Sequence, residues 1–208
     1  ALATGREGLH GVLGGGLRPG QLEVVAARPA VGKSTLALDV ARHAAIHQDR
    51  GVLFVSLEMS AGEIGMRLAA AEARVPLAAI RAGEPRAVAA MAEVLGRAET
   101  ARLGVWDAAG VGVQAIRARA QTLRARGQLD LVVVDYLQLL TSTGRRVENR
   151  QQEVAEMSRS LKLLAKELEV PVVAISQLNR GPEQRTDKKP QLADLRESGC
   201  LTANTRLL

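Results

Sequence analysis

Short, continuously apolar runs alternate along this chain with longer stretches of helical periodicity. Residues 21–26, 52–57, 129–135 and 171–176 are apolar almost throughout, and turn-forming or charged residues bound them. Runs of this length without polar alternation are strands buried on both faces. Residues 103–106 read as a further, shorter strand. Between these runs, 36–45, 61–73, 85–98 and 114–126 have helical spacing. From Gln151 onward, Val154, Met157, Leu161, Leu164 and Leu168 recur at intervals of three and four, which is one helix face. Strands alternating with helices predict an α/β fold: a mostly parallel sheet with helices on both faces. Residues 1–20 carry the turn signals Gly14-Gly15-Gly16 and Pro19-Gly20 and read as a lead-in loop or short helix. Residues 141–150 are polar and read as a loop. After Gln177 the chain stays polar and charged as far as Arg196. There is no internal repeat.

Composition narrows this picture. A length of 208 residues suits one domain, and 47% hydrophobic residues suffice for a core. Phe54, Trp106 and Tyr136 are the only aromatics, so that core is aliphatic. The same scarcity argues against a binding mode built on stacked bases. The net charge of +6 suits a polyanionic partner, nucleic acid first, or else an Arg-rich solvated surface. A single cysteine excludes an internal disulfide. No signal peptide or membrane-length apolar run is present, so the expected location is the cytoplasm.

The strongest chemical signal is Ala27-Arg28-Pro29-Ala30-Val31-Gly32-Lys33-Ser34-Thr35. It reads as a phosphate-binding P-loop with Ala where the first Gly is usual. It follows a predicted strand and precedes a predicted helix, as the motif requires. Backbone N–H groups of such a loop, with the helix N-terminus, cradle a polyphosphate. Lys33 then reaches the β- and γ-phosphates, Ser34 offers its hydroxyl to Mg²⁺, and Thr35 lies beside the phosphates. The expected ligands are a nucleoside triphosphate and Mg²⁺.

Three polar residues close three apolar strands. Asp135 stands where a Walker B carboxylate holds the metal, or is an ordinary strand-end Asp. Glu58 could orient and deprotonate an attacking water, or be a helix N-terminal Glu favoured by the dipole. Gln177 could sense a γ-phosphate through its amide. Around one P-loop, the three together say more than any of them singly.

The P-loop, Phe54-Val-Ser-Leu-Glu-Met-Ser60, Val134-Asp-Tyr-Leu-Gln-Leu139, Ile175-Ser-Gln-Leu-Asn-Arg180 and Asp194-Leu-Arg-Glu-Ser-Gly199 together resemble the C-terminal motor domain of DnaB-type replicative helicases. The resemblance runs in order over about residues 4–199. It implies a RecA-like P-loop NTPase core, truncated before its last strands. It also implies a homohexameric ring, ATP-driven 5′-to-3′ movement on single-stranded DNA, and primase and helicase-loader partners. It makes Glu58 the catalytic base, Gln177 the γ-phosphate sensor and Arg67 a nucleotide contact. Arg196, Glu197 and Gly199 match the loop that touches the DNA backbone. On the residues alone, Arg67 also reads as a solvated helix residue, and Arg196 with Glu197 as a surface ion pair.

The chain departs from that family at two places. The helical domain that precedes the motor is not in this sequence. After Gly199 the sequence reads Cys200-Leu-Thr-Ala-Asn-Thr-Arg-Leu-Leu208, which resembles the first block of an intein. That resemblance divides the chain into a helicase domain at 1–199 and an intein start at 200–208. Cys200 becomes the nucleophile that attacks the Gly199 carbonyl; the bland alternative is an idle thiol. No Thr-x-x-His motif accompanies it, so no splicing is expected of residues 1–208. In the family the segment after the Arg-Glu-Ser-Gly loop also supplies the basic finger that completes a neighbour's ATP site, so weak or absent turnover is expected of this chain alone. Two other readings stand beside the helicase: a different RecA-like ATPase, and a nucleotide-binding module without turnover.

Overall fold

The computed structural model describes residues 1–28, 30–107, 110–137, 140, 150–177 and 205–207. Its centre is a six-stranded sheet: β1 (Leu22–Ala27), β2 (Val52–Ser56), β3 (Leu103–Asp107), β4 (Leu131–Asp135), β5 (Val172–Gln177) and β6 (Thr205–Leu207). The order across the sheet is β3-β2-β4-β5-β1-β6, and every pairing is parallel. The expected fold class is the one observed. β6 is short and runs along the outer edge of β1, with Val24 opposite Thr205 and Ala26 opposite Leu207.

Period-two alternation within the apolar strands builds two separate cores. Leu53, Val55, Val132, Val134, Val172 and Ala174 point to one face. There they meet Ile116 and Ala120 of α6 (Val113–Ala125) and Met157, Leu161 and Leu164 of α7 (Arg150–Leu168). Val52, Phe54, Leu131, Val133, Val173 and Ile175 point to the other. They are covered by α2 (Lys33–Arg42), by Ile64 and Leu68 of α3 (Ala61–Ala73), and by Leu13 and Leu17 beside α1 (Glu7–Val12). Because both faces are covered, the strands read as solid apolar runs rather than alternating ones.

Helix boundaries follow local chemistry. The Ser60 hydroxyl caps α3 by accepting from the Glu63 amide at 3.2 Å, and Arg74 ends it in the left-handed conformation, φ 57°. Asp107, at the end of β3, accepts from the Ala61 amide at 2.8 Å and ties the same helix start to the sheet. The predicted helix at 36–45 begins earlier, at Lys33. It then loosens into a π-helical turn, His43–His47. Two helices stand between α3 and β3: α4 (Leu77–Arg81), which the periodicity did not reveal, and α5 (Pro85–Thr100). Gly51 lets β2 start against β4: a Cβ there would lie 2.1 Å from the Gln128 carbonyl oxygen.

Candidate nucleotide site

The carboxyl ends of β1, β5, β4 and β2 lie side by side, so the residues that close them meet at one edge of the sheet. The P-loop leaves β1 at Ala27, and Gly32 is the residue before α2. Ala30 and Gly32 both adopt left-handed backbone, φ 63° and 90°. Such residues turn successive amides toward one concavity. Gly32 provides no side-chain cap, and α2 closes its first backbone bond from the Leu36 amide to Gly32. The preceding α2 amides therefore remain available to an anion.

Ala30, Gly32, Lys33, Ser34, Thr35, Glu58, Met59, Glu63 and Arg67 surround a cavity of about 510 Å³ above this edge. Val31 is exposed, and Arg28 is half-buried. Lys33 Nζ stands 5.8 Å from the Tyr136 ring centroid. Pro29 lies outside the described residues, as do Arg196, Glu197, Gly199 and Cys200.

Asp135 ends β4 beneath the cavity. It is fully buried, and neither carboxylate oxygen has a hydrogen-bond partner. Burial pushes the Asp135 carboxyl above its usual pKa; Ser34 and Lys33 pull it down, and the charge on Glu58 adds to the upward push. An orphaned buried carboxylate beside a hydroxyl is a hard-oxygen donor set that fits Mg²⁺. Among the described residues no cluster of three or more His, Cys, Asp or Glu could hold a metal alone.

The turn after β2 brings Glu58 to the cavity. Ser56 Oγ donates to the Met59 carbonyl at 2.7 Å and accepts from the Met59 amide at 3.0 Å. The Leu57 amide donates to the Asp135 carbonyl at 2.8 Å, which holds the turn against β4. Glu58 is exposed at the cavity wall. Gln177 closes β5 opposite Ala27 and is half-buried, but it does not line the cavity. Arg67 does line it, from α3.

Sequence reasoning missed Glu63. It lines the cavity and accepts from Arg67 through Nη2 at 2.8 Å and Nε at 3.3 Å. Arg81 of α4 stands 3.6 Å from the same oxygen. The Arg67 hydrogen bond holds the Glu63 carboxyl below its usual pKa, with smaller help from Arg81. The i,i+4 spacing of Glu63 and Arg67 was the available signal.

A family model described as the DnaB-like helicase C-terminal domain matches residues 1–207. A replicative DNA helicase DnaB from Leifsonia xyli subsp. xyli (strain CTCB07) is 57% identical over 188 residues, 89% of this chain and 41% of that protein. A solved structure described as an ATPase domain has a TM-score of 0.88 at 32% identity, covering 96% of this chain and 71% of that one. The structure of a DnaB-like replicative helicase, described with its interactions with primase, has a TM-score of 0.89 at 32% identity, covering 96% of this chain and 48% of that one. The chain thus spans about two-fifths of the length of curated relatives it matches.

Proposed function

The chain belongs to the family of DnaB-like helicase C-terminal domains, and from that premise we propose that it is the ATP-driven motor of a hexameric replicative helicase moving 5′-to-3′ on single-stranded DNA. One observation carries this reading. The strand ends bring Lys33, Ser34, Asp135 and Glu58 to one 510 Å³ cavity and its floor, which is what ATP hydrolysis needs.

The roles follow from position. Backbone amides of 30–35 bind phosphate oxygens, and Lys33 adds a charge-assisted contact. Ser34 and Asp135 would hold Mg²⁺, which would supply neutralisation of phosphate charge. Glu58, exposed at the wall, takes the proton of the attacking water. Gln177 senses the γ-phosphate from the neighbouring strand end, and Arg67 contacts the nucleotide. By family likeness, Arg196, Glu197 and Gly199 touch the DNA backbone, and the ring engages primase and a loader in the cytoplasm. The primase partner draws support from the structural neighbour described with primase. Residues 1–199 form the helicase domain. Cys200 begins an intein whose thiol attacks the Gly199 carbonyl, forming a thioester as the Gly199–Cys200 peptide C–N bond breaks and its nitrogen takes up the proton as a free amine; the junction sequence Gly199-Cys200-Leu201-Thr202 supports this.

Steady-state ATP hydrolysis with and without single-stranded DNA, measured on the uninterrupted ring-forming protein, tests the motor reading. DNA-stimulated turnover is expected. Nucleotide binding with no turnover under either condition would instead establish a binding module.

A further inference from the structure

The floor of the cavity holds an ion pair that does not form. Asp135 is fully buried, and neither of its carboxylate oxygens has a hydrogen-bond partner. Lys33 is near enough for its charge to act on that carboxylate. In an interior of low dielectric an ammonium and a carboxylate attract strongly, and the flexible stem of a lysine lets it close such a gap. Lys33 leaves both Asp135 oxygens unbonded. Its Nζ lies instead over the Tyr136 ring, 5.8 Å from the centroid.

A closed Lys33–Asp135 pair would block the site with its own residues. It would take the ammonium away from phosphate and cover the carboxylate. Tyr136 is placed to prevent this. It follows Asp135 directly in the chain, at the end of β4, and is half-buried with its ring packed against the second core. Packing fixes that ring whether or not a ligand is present. An aromatic face attracts a cation within about 6 Å without accepting a conventional hydrogen bond from it. The Lys33 ammonium is therefore held while its N–H groups stay available to phosphate oxygens.

We propose that Tyr136 is a positioning residue for Lys33: its ring holds the ammonium off Asp135 before nucleotide arrives, and keeps hold of it once phosphate is bound. The proposal rests on the nucleotide-binding reading above and adds to it a residue that touches neither phosphate nor metal.

Calorimetric titration of the 208-residue chain with inorganic tripolyphosphate, without Mg²⁺, reads Lys33 apart from any metal. With Asp135 in place, Tyr136→Leu should weaken binding by about 2- to 30-fold, the range of a cation–π contact. Tyr136→Phe keeps the ring and should bind as wild type does. In an Asp135→Asn background the competing carboxylate is gone, and adding Tyr136→Leu should change affinity little. Damage to the fold by Tyr136→Leu would weaken binding equally in both backgrounds, and that result would overturn the proposal. Undiminished affinity in Tyr136→Leu would do the same, as would a loss in Tyr136→Phe equal to that in Tyr136→Leu. Tyr136 is the chain's only tyrosine, so its NMR ring resonances report the contact directly. They should move in Lys33→Ala; unmoved resonances would contradict the contact. Binding that is insensitive to Tyr136 leaves the P-loop reading intact, whereas failure of wild type to bind tripolyphosphate would overturn both.

Discussion

Replacing Asp135 by Asn should make the nucleotide-free protein more stable and the nucleotide-bound protein less so. Asp135 is fully buried with two unpartnered carboxylate oxygens. An unsatisfied buried acceptor costs about 1–3 kcal/mol, and a charged one lies toward the upper end. Asn keeps the shape and removes the charge, but its amide hydrogens are also unpartnered, so the lower half of that range is expected. For a domain of this size each kcal/mol moves Tm by about 2–4 °C, giving a rise of roughly 2–8 °C for the variant. The sign with pH is fixed by the raised pKa. The folded state binds the proton more tightly than the unfolded state. The wild-type penalty is therefore absent below the ordinary value of 3.8, grows as pH rises toward the folded pKa, and is complete above it. The advantage of Asp135→Asn should fade in acid. With Mg-ATP at a hundred times its Kd, wild type should gain about 2.7 kcal/mol, and the variant distinctly less. Thermal and urea unfolding, each with and without Mg-ATP, measure all of this. A variant that is destabilised without nucleotide, or that gains as much from Mg-ATP as wild type, would refute the argument that this carboxylate is kept for a metal-bound phosphate.

Three further outcomes are expected. In the uninterrupted ring-forming protein, Glu58→Gln should bind ATP normally while turnover falls by roughly 10²-fold or more, the scale of a lost general base; near-normal turnover would move that role elsewhere. Gly51→Ala should lower the urea midpoint by the equivalent of about 2 kcal/mol or more, since its Cβ would lie 2.1 Å from the Gln128 carbonyl oxygen and β2 or β4 must shift; an unchanged midpoint would show that the edge yields freely. In a complete intein-bearing precursor, Cys200→Ala should abolish cleavage after Gly199 as read by intact mass. A fragment still ending at Gly199 would remove the nucleophile assignment.

The parts of this architecture visible in the sequence are those set by local periodicity. β2 and β4 are buried on both faces, so their apolar runs stand out, and the 61–73 helix is readable from its spacing. The P-loop is legible because phosphate binding imposes residue types at fixed spacing. What stays hidden depends on contacts distant in the chain. Asp107 caps α3 from 46 residues away, and no local pattern announces that. α4 has five residues and one buried side chain, Ile80, too little for a period to register. The π-helical turn after Arg42 buries Ala44 and Ala45 in the second core, and no breaker residue marks it in the sequence. Glu63 occupies a capping-box position, and only the side-chain direction shows it serving Arg67. The place of Thr205–Leu207 beside Val24–Ala26 is a tertiary choice that no local pattern announces.

The central claim is that the loop from Ala27 to Thr35 binds a nucleoside triphosphate through Lys33. Titration of wild type and Lys33→Ala with a fluorescent ATP analogue in Mg²⁺ tests it most directly. Loss of one charge-assisted phosphate contact costs about 1.5–3 kcal/mol, so the account predicts affinity weakened by roughly 10- to 150-fold with the fold intact. Equal affinity in the two proteins would contradict it.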